Sequence, residues 1–454
     1  MGQRERRHAP RRLVAAGIAA GVILGAAAGA ALLTGAAPPS RASGPRPVVL
    51  HVAPALVDAG ADLELSAATM CRTPGRATCT VEGARAWVRP QGAAGWSRVP
   101  GHVIDGAYRF DVSGTLIPEG GFDYWLEFLT RAGAAEAYPP GGAQAAIRVL
   151  TATGLPERAF PTIDWNAVRA PDGVAVSMPY GRRDGQVGIQ LPEGDGEIAG
   201  HGSFDVGPDG SIYVDDWVNG RIQVFSRSGR FERAFRSPVD EPADLAVAGD
   251  GSLVLGTLGE AAEAFELGPE GAVIGRYPVG YGIVSRVAVG PDGPKAMVGP
   301  SQWAAVRTVS GRPLAPELQA RLQSAVAPQS DGAIGVSQSL PGGRIAFAWI
   351  RGDGSRAGAV LTLPRGVQPG SDFFVRPLDD GGAIAARGVW DATHFGVVAL
   401  RFDALGRVVA SSLLPEPSHH QVARFSTVRY RAPGEVLVAV DRGHGVRILR
   451  FEVR

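Results

Sequence analysis

Lysine is nearly absent from this 454-residue chain, because Lys295 is the only one among its 45 basic residues. Schiff-base enzymes and P-loop nucleotide hydrolases both need a reactive lysine, and no G-x-x-x-x-G-K-[ST] segment precedes Lys295. Charge of one sign is also lacking, since 44 acidic residues balance the basic ones. A chain so close to neutral has no basic footprint for nucleic acid. The sequence therefore argues against P-loop chemistry and against nucleic-acid partners.

Recognisable catalytic motifs are missing as well. The sequence contains no H-E-x-x-H, no G-x-S-x-G and no C-x-x-C. The segment Gly200-His201-Gly202-Ser203 is not a nucleophile elbow, because its serine follows the second glycine. No motif therefore identifies an enzyme class.

Glycine and proline are abundant, with 63 and 35 copies, while hydrophobic residues make up 45% of the chain. That hydrophobic share is enough to bury a sizeable core, and the glycines and prolines are typical of turns between short strands. We expect an all-β protein. At roughly 150 residues per domain, the length predicts two or three structural units.

The N-terminus carries a charged segment and then an apolar one. Arginines between Arg4 and Arg12 precede an uncharged run from Leu13 to Ala37. Positive charge before such a run keeps the N-terminus in the cytoplasm and sends the rest of the chain outward. The run is long enough for a membrane anchor, but small residues near Ala36 and Ala42 also suit signal peptidase. A retained anchor at the cell membrane is our expectation, and a secreted protein is the alternative.

Four glycines repeat at a spacing of four within the predicted anchor Leu13–Leu33. They are Gly17, Gly21, Gly25 and Gly29. Small residues on one face of a membrane helix let two helices approach closely, so one prediction is a homodimer. The alternative is that a composition rich in glycine and alanine produces the spacing by chance.

Residues 44–152 contain short alternating or β-rich runs separated by turn signals. The runs that predict strands are Val48–Val52, Asp62–Ala67, Ala84–Arg89, Tyr108–Val112, Tyr124–Leu129 and Ala145–Leu150. Six or seven short strands in this length indicate a β-sandwich. The segment Phe122–Phe128, followed by Arg131-Ala132-Gly133, resembles the last hairpin of bacterial immunoglobulin-like or fibronectin-type-III-like modules. The resemblance implies a fold of that kind.

Both cysteines of the chain, Cys71 and Cys79, lie in this domain. In an exported domain such a pair is typically a disulfide, and two cysteines alone cannot make a structural zinc site. The Pro74-Gly75 turn between them would bring the ends of the loop together. We predict a Cys71–Cys79 disulfide, with two free thiols as the alternative.

A repeat organises the second half of the chain. Ser203–Phe231 contains an apolar strand, a Pro-Asp-Gly turn, a second strand, a polar loop, a third strand and a Ser-Gly turn into a fourth. Its Asp-Gly turn, its Tyr213–Asp216 segment and its Arg221–Phe225 strand closely resemble an NHL repeat. This resemblance implies a β-propeller, and NHL-like propellers generally bind protein.

Weaker copies of this unit follow. Counting the first, their leading strands begin near Ser203, Ala243, Arg286, Asp331, Asp372 and Phe425. The last copy supplies three strands, the third being Gly445–Val453, and Gly185–Leu191 supplies a spare strand before the first copy. Pairing of those two strands would close the ring and leave no exposed sheet edge. We therefore expect residues 174–454 to form a six-bladed propeller, joined to the sandwich by a linker at 153–173 and preceded by a signal or anchor segment at 1–43.

Histidines and carboxylates gather on one predicted face of the propeller. The loop entering the first strand of a blade and the loop joining its second and third strands share a face, because neighbouring strands are antiparallel. By this rule one face receives His201, Asp215, Asp216, Asn219, Asp391, His394, His419, His420, Asp441 and His444. Ring closure would bring His419 and His420 towards His201, where imidazoles beside carboxylates could bind a divalent metal or act as acid and base. The alternative is a solvated loop surface.

Two functions fit these expectations. The first is an exported, membrane-anchored binding or scaffold protein without a cofactor, whose propeller face binds a protein or a cell-envelope glycan. The second is an extracytoplasmic lactonase-like lyase or hydrolase with zinc or calcium. The resemblance to a six-bladed propeller implies this alternative, because several enzymes of that fold, such as lactonases and peptidylamidoglycolate lyases, use a metal in that region. Since propellers host both functions, the fold does not choose between them. Binding is our first expectation.

Overall fold

The computed structural model describes residues 47–453, apart from 72–76, 78, 140, 191–199, 241, 258–260, 282–283, 291–292, 299–301, 306–333, 351–354 and 418–426. The predicted anchor Leu13–Leu33 and its four glycines therefore lie outside the described residues. No helix in the described part of the chain is long and apolar enough to cross a membrane. Its helical structure is limited to three short 3₁₀ helices, Gly114–Leu116, Gly142–Ala145 and Trp217–Asn219.

Nine strands form the N-terminal unit, and each run predicted to be a strand coincides with one of them. They are β1 (Val48–His51), β2 (Leu56–Val57), β3 (Leu63–Met70), β4 (Val81–Pro90), β5 (Ser97–Ile104), β6 (Ala107–Val112), β7 (Phe122–Thr130), β8 (Ala135–Tyr138) and β9 (Ile147–Thr151). The hydrogen-bonded order is β1-β3-β6-β5-β4-β7-β9-β2, with β8 added on β7.

The N-terminal sheet curls around one apolar core. Strand β5 produces the bend, because its first half pairs with β4 and its second half pairs with β6. Alternate side chains of β7, from Phe122 to Phe128, are fully buried inside the curl, as a strand with one covered face requires. The two halves of the expected sandwich are therefore joined in a single curled sheet.

The rest of the described chain is also built from strands. They are β10 (Glu157–Ala159), β11 (Gly173–Pro179), β12 (Phe204–Val206), β13 (Ile212–Asp216), β14 (Arg221–Phe225), β15 (Phe231–Arg236), β16 (Pro242–Val247), β17 (Leu253–Thr257), β18 (Ala261–Leu267), β19 (Val273–Tyr281), β20 (Val284–Gly290), β21 (Gly293–Val298), β22 (Gln302–Ala305), β23 (Ile334–Leu340), β24 (Arg344–Ile350), β25 (Arg356–Thr362), β26 (Gln368–Pro377), β27 (Ala383–Trp390), β28 (Phe395–Phe402), β29 (Val408–Leu414), β30 (Val428–Arg431), β31 (Glu435–Asp441) and β32 (Gly445–Glu452).

These strands form six small sheets in the described residues. In chain order of their leading strands the sheets are β12–β15, β16–β19, β20–β22, β23–β25 with β10, β26–β29, and β30–β32 with β11. Leading strands pack against each other, β12 on β16, β16 on β20, β23 on β26, β26 on β30, and β30 back on β12. Apolar side chains fill the spaces between neighbouring sheets. This is a propeller-like arrangement, and each observed leading strand lies close to the position predicted for it.

The first repeat folds as its sequence predicts, through local turns. Gly229, in the Ser-Gly turn between β14 and β15, has a φ of +83°, which only glycine adopts readily. A Cβ atom at this position would lie 2.0 Å from the carbonyl oxygen of Ala175 on β11. Glycine is thus needed both for the turn and for the close approach of β11.

The strand that closes the sixth sheet differs from the predicted one. Strand β11, Gly173–Pro179, pairs antiparallel with β32, so the closing strand lies upstream of Gly185–Leu191. The described part of the predicted segment instead folds back, and the amide of Val187 donates to the carbonyl of Pro179. Gly185 and Gln186 then face β14, whose Gln223 contacts both of them. Their backbone groups bond to side chains of the first sheet, so they do not form a ladder with β32.

The predicted linker at 153–173 contributes to the fold as well. Strand β10 pairs in parallel with β25 as the outermost strand of the fourth sheet. The N-terminal unit docks on the same sheet, where Asp58 and Arg344 form an ion pair at 2.5 Å and the Ala55 amide donates to the side chain of Gln338. One apolar cluster also contains buried residues of both units, among them Leu56 and Val336. The N-terminal unit is therefore fastened to the propeller.

Candidate functional site

Asp216 and Asn219, two of the predicted site residues, lie in a closed hydrogen-bond network. The buried Asp216 carboxylate accepts from the Gly188 amide at 2.8 Å and from the Arg221 guanidinium at 2.8 Å. Asn219 and Gln223 donate to the same carboxylate. This network connects the chain near Gly188 to β13 and β14. Both oxygens of the Asp216 carboxylate accept hydrogen bonds within it.

Asp215 precedes Asp216 in the sequence, but its side chain has a different environment. Its side chain is fully buried, and in the described structure neither carboxylate oxygen accepts a hydrogen bond. Burial raises the pKa of Asp215 well above the ordinary aspartate value, and the charges of Asp216 and Asp244 add to the effect. A Cβ atom at Gly202 would lie 2.2 Å from Asp215 Oδ2, so a larger residue there would displace the Asp215 carboxylate.

The histidines do not form a described cluster. His201, in the segment that precedes β12, is fully buried. His419 and His420 lie outside the described residues, so their approach to His201 stays a prediction. His394 is about half exposed, stacks on Trp165 with ring centroids 5.3 Å apart, and contacts Asp391. Among the described residues, no group of three or more His, Cys, Asp or Glu side chains could hold a metal ion.

The other predicted positions serve local turns. Asp391 accepts hydrogen bonds from the amides of Thr393 and His394, which lower its pKa to about 2. Asp441 accepts from the hydroxyl of Tyr180, and His444 is exposed. The structure thus brings Asp391 together with His394, and Asp216 with Asn219, in separate places along the chain.

A cavity of about 420 Å³ opens at the other end of the leading strands. Its walls include Val206, Val247, Val289 and Arg376, each near the carboxyl end of a leading strand. His201 and the other loop positions that enter leading strands precede the amino ends of those strands. The cavity therefore lies at the face opposite to the predicted histidine face.

Arginine dominates the charged lining of this axial cavity. The lining contains a single acidic residue, Asp205, and five basic ones, Arg227, Arg286, Arg376, Arg429 and Arg431. Strand β30 supplies two of them at alternate positions. A period of two in a strand directs side chains to one side, so Arg429 and Arg431 both face the cavity. The sequence carries this signal, but only the folded arrangement of the sheets identifies which strands border the cavity.

Arg429 connects three sheets across the cavity. Its guanidinium donates to Asp244 at 3.0 Å and lies 3.3 Å from Asp205. These two carboxylates also accept backbone amides of the following leading strand, Asp205 from Val247 and Asp244 from Val287. The side chain of Asp244 is 1% exposed, so the pair with Arg429 is buried. The arginine holds the last sheet to the first and second.

Arg286 is, like Arg431, a buried cation of the lining. It donates to the carbonyl of Phe373 at 3.1 Å. Burial and, to a smaller extent, the charge of Arg429 lower the pKa of Arg286 to about 10, although the charge of Asp244 opposes the shift. Arg286 is still protonated at neutral pH. The guanidinium groups of Arg286 and Arg429 therefore lie close enough for their charges to interact.

Arg431 and Arg227 share a carboxylate at the edge of the cavity. Glu435 accepts from Arg431 at 2.7 Å and from Arg227 at 3.2 Å, and Arg450 bonds to its other oxygen. Burial opposes ionisation of Glu435, but these hydrogen bonds hold its pKa below the usual value. In the described structure, five guanidinium groups are thus accompanied by the carboxylates of Asp205, Asp244 and Glu435.

Comparison with known proteins gives matches among solved structures alone. No family model and no curated protein matches the chain. A pyrroloquinoline-quinone-bound aldose sugar dehydrogenase from Streptomyces coelicolor is 12% identical, with 63% of this chain and 98% of the other covered, at a TM-score of 0.37. A catalytically inactive virginiamycin B lyase from Staphylococcus aureus with quinupristin is 12% identical, with coverage of 62% and 98% and a TM-score of 0.33.

A protein of unknown function from Bacteroides thetaiotaomicron covers more of the chain. It is 10% identical, with 91% of this chain and 99% of the other covered, at a TM-score of 0.34. The matched structures include enzymes and proteins of unknown function, and the dehydrogenase and the lyase are β-propeller proteins. Similarity at these identities and TM-scores carries no argument about the function of this chain.

Proposed function

We propose that this chain is an exported binding protein whose six sheets form a closed, six-bladed propeller that receives a protein partner at the axial cavity. One observation carries the proposal: an open cavity of about 420 Å³ with polar, charged walls lies on the axis. A volume of this size is in the range of small-molecule sites, roughly 300–1,000 Å³, so the cavity has room for a few side chains of a partner. The charges on its walls would give a partner orientation and specificity.

The N-terminal unit acts as a spacer in this proposal. Leu13–Leu33 anchors the chain in the cell membrane, and an immunoglobulin-like or fibronectin-like unit with a Cys71–Cys79 disulfide follows outside. The ion pair of Asp58 with Arg344 supports a fixed orientation of the spacer relative to the propeller. A fixed spacer would present the cavity away from the membrane at a defined distance.

Metal-dependent lyase or hydrolase activity is a second candidate. The observation that favours it is the fully buried Asp215 carboxylate, which accepts no hydrogen bond in the described structure and lies near the loop of His201. A carboxylate in that condition is suited to receive a cation or a proton. Bound metal in the purified protein would favour this candidate over simple binding.

Photo-cross-linking at the two faces tests the binding proposal. A benzoyl-phenylalanine at Gly249 would stand at the cavity rim, where the residue is exposed and a side chain would meet nothing within 4 Å. The matched position on the opposite face is His444, which is also exposed. In native host cells we expect a discrete adduct from position 249 and none from position 444. Adducts from position 444 alone, or from neither position, would contradict the proposal.

A further inference from the structure

We propose that Asn219 is a deamidation site, at which attack by the Gly220 nitrogen converts the side-chain amide to a carboxyl only after the loop Tyr180–Gly188 has opened. The conversion then keeps that loop open, so the site makes an opening event irreversible. This inference goes beyond the proposed function, because the loop contacts the face opposite to the axial cavity. It depends on the sequence at Asn219, on the contacts that hold the loop, and on the charge that the reaction creates.

The sequence supplies one reactive pair of residues. The chain has two asparagines, Asn166 and Asn219, and only Asn219 is followed by glycine. Asparagine is a thermolabile residue, and a following glycine makes it especially reactive, because no side chain hinders the backbone nitrogen or restricts its approach. Asn166 precedes Ala167 and is exposed, so it serves as an internal control.

The reaction needs only water as a co-reactant. A bond forms between the Gly220 nitrogen and Cγ of Asn219, the Cγ–Nδ2 bond breaks, and ammonia leaves with the proton of the Gly220 amide. Water then opens the cyclic imide and leaves aspartate or isoaspartate. In the folded chain the Gly220 amide donates to the Trp217 carbonyl at 2.9 Å, so this hydrogen bond has to break before the nitrogen can attack.

Direct contacts with the loop hold the Asn219 side chain in place. Its amide donates to the carbonyl of Gly181 at 2.9 Å and to the carboxylate of Asp216 at 2.9 Å. A Cβ atom at Gly188 would lie 2.6 Å from Cβ of Val218 and 3.1 Å from Nδ2 of Asn219, so the loop backbone packs directly on this turn. The nitrogen that has to leave is therefore bonded and covered while the loop is closed.

Two side chains of β14 fasten the same loop. Arg221 donates to the carbonyls of Arg183 and Gln186 at 2.7 and 2.9 Å. Gln223 is buried, donates to the Gln186 carbonyl at 2.6 Å and accepts from the Gly185 amide at 2.9 Å. Both side chains also donate to the carboxylate that Asn219 contacts. A loop held by one shared network opens as a unit, and its opening frees the turn at Asn219.

The product of the reaction is incompatible with the closed loop. Nδ2 of Asn219 lies 3.1 and 2.9 Å from the two carboxylate oxygens of Asp216, which is fully buried. A carboxylate at position 219 would face Asp216 as a like charge and would present an oxygen to the carbonyl of Gly181. Deamidation therefore replaces a donor by an acceptor at a point where two neighbouring groups accept hydrogen bonds.

The first experiment follows deamidation of the purified full chain in mildly alkaline buffer, by peptide mapping with mass spectrometry. The reference is an acetylated and amidated peptide of residues 217–222. We expect conversion of Asn219 to be at least tenfold slower in the folded chain than in the peptide, and to reach the rate of the peptide in denaturant. Equal rates in the folded chain and the peptide would overturn the control by the loop. Conversion of Asn166 as fast as that of Asn219 in denaturant would overturn the role of Gly220.

Variants connect the deamidation to the loop. Arg221→Met should accelerate conversion of Asn219 at least tenfold, whereas Asp111→Asn, which changes an exposed carboxylate of the N-terminal unit, should leave the rate unchanged. Asn219→Asp reproduces the product and should make hydrogen exchange at the Gly188 amide at least tenfold faster, while Asn166→Asp should not. Unchanged conversion in Arg221→Met, or unchanged exchange in Asn219→Asp, would overturn the proposal. If Arg221→Met fails to fold, the comparison of the folded chain with the peptide still decides whether the loop controls the reaction.

Discussion

Arg429 on the last leading strand donates a hydrogen bond of 3.0 Å to Asp244 on the second, across the axial cavity. The bond joins elements that are far apart in the sequence and close in the ring. Because Asp244 also accepts the Val287 amide, its carboxylate links three leading strands at once. The contact is therefore both a structural tie of the ring and part of the charged wall of the cavity.

Removal of this arginine should destabilise the propeller. Arg429→Met leaves Asp244 buried without its guanidinium, and breaking a buried pair lowers the free energy of unfolding by about 3–5 kcal/mol. The double variant with Asp244→Asn should lose less than the sum of the single losses, because both charges of the pair are gone. Denaturant unfolding of the four proteins measures this coupling. Additive losses would contradict a direct interaction. The control is Arg407→Met, which removes an exposed arginine and should leave the free energy of unfolding close to that of the parent protein.

The pairing of β11 with β32 can be tested by two matched substitutions. Val176 is 1% exposed inside the interface with the first sheet, whereas Val174 on the same strand is 49% exposed. Val176→Asp buries an unpaired carboxylate and should lower the free energy of unfolding by at least about 3 kcal/mol. Val174→Asp should have a small effect, because its side chain faces water. Equal effects in denaturant unfolding would contradict the observed closing strand.

His51 should make the stability of the N-terminal unit depend on pH. Its Nδ1 donates to the Ser66 carbonyl and its Nε2 therefore accepts from the Tyr124 hydroxyl, so the neutral ring is fully bonded. Burial lowers the pKa of His51 to about 4, from an ordinary value of 6.5. Between these values the unfolded chain binds a proton that the folded chain excludes. Stability from this group is complete above about pH 6.5 and falls by about 3 kcal/mol as the pH decreases to 4.

Unfolding measured by tryptophan fluorescence across this pH range checks the prediction. His51→Gln should remove the decline between about pH 6.5 and pH 4. His102→Gln is the control, because the His102 side chain is 47% exposed. A decline of unchanged size in His51→Gln would show that another group titrates in this window.

The two cysteines come close enough for the predicted disulfide. The Cα atoms of Cys71 and Cys79 are 5.3 Å apart, within the usual range for a disulfide. Mass spectrometry of the exported protein without reductant should find no alkylatable thiol, and reduction should lower the free energy of unfolding by about 2–3 kcal/mol. Two alkylated cysteines before reduction would refute the bond.

Bound metal distinguishes the two candidate functions. We expect emission spectrometry of the purified full chain to find no stoichiometric zinc or calcium, and no change in His201→Ala or His420→Ala. If the chain binds one metal ion and both variants lose it, the metal site lies on the predicted histidine face. That result would favour a lyase or hydrolase. Asp215→Asn should then lose the metal as well.

Much of the fold could be predicted because its signals are local. The Asp-Gly and Ser-Gly turns of the first repeat and the alternation of β7 each act within a few residues. The closing strand could not be chosen in this way, since Gly173–Pro179 and Gly185–Leu191 both precede the first repeat. Long-range pairing with β32 decided between them, together with the backbone bonds that Gly185 and Gln186 make to β14.

The candidate site was less accessible to sequence reasoning. Polar loop residues such as Asp216 and Asn219 suggested a binding face, but in the folded chain they satisfy each other and the neighbouring backbone. Arg286 and Arg429 lie within strands, where a charged residue gives no motif. Only the folded structure reveals that both strands border the same cavity, because the two arginines are more than a hundred residues apart in the chain.

Photo-cross-linking at the two faces tests the central claim most directly. The measurement is the yield of the adduct from benzoyl-phenylalanine at Gly249 in native host cells, compared with the yield from the same group at His444. We predict a discrete adduct from position 249, none from position 444, and a lower yield from position 249 when Arg286→Met alters the cavity wall. Equal yields from the two positions would contradict a partner site in the axial cavity.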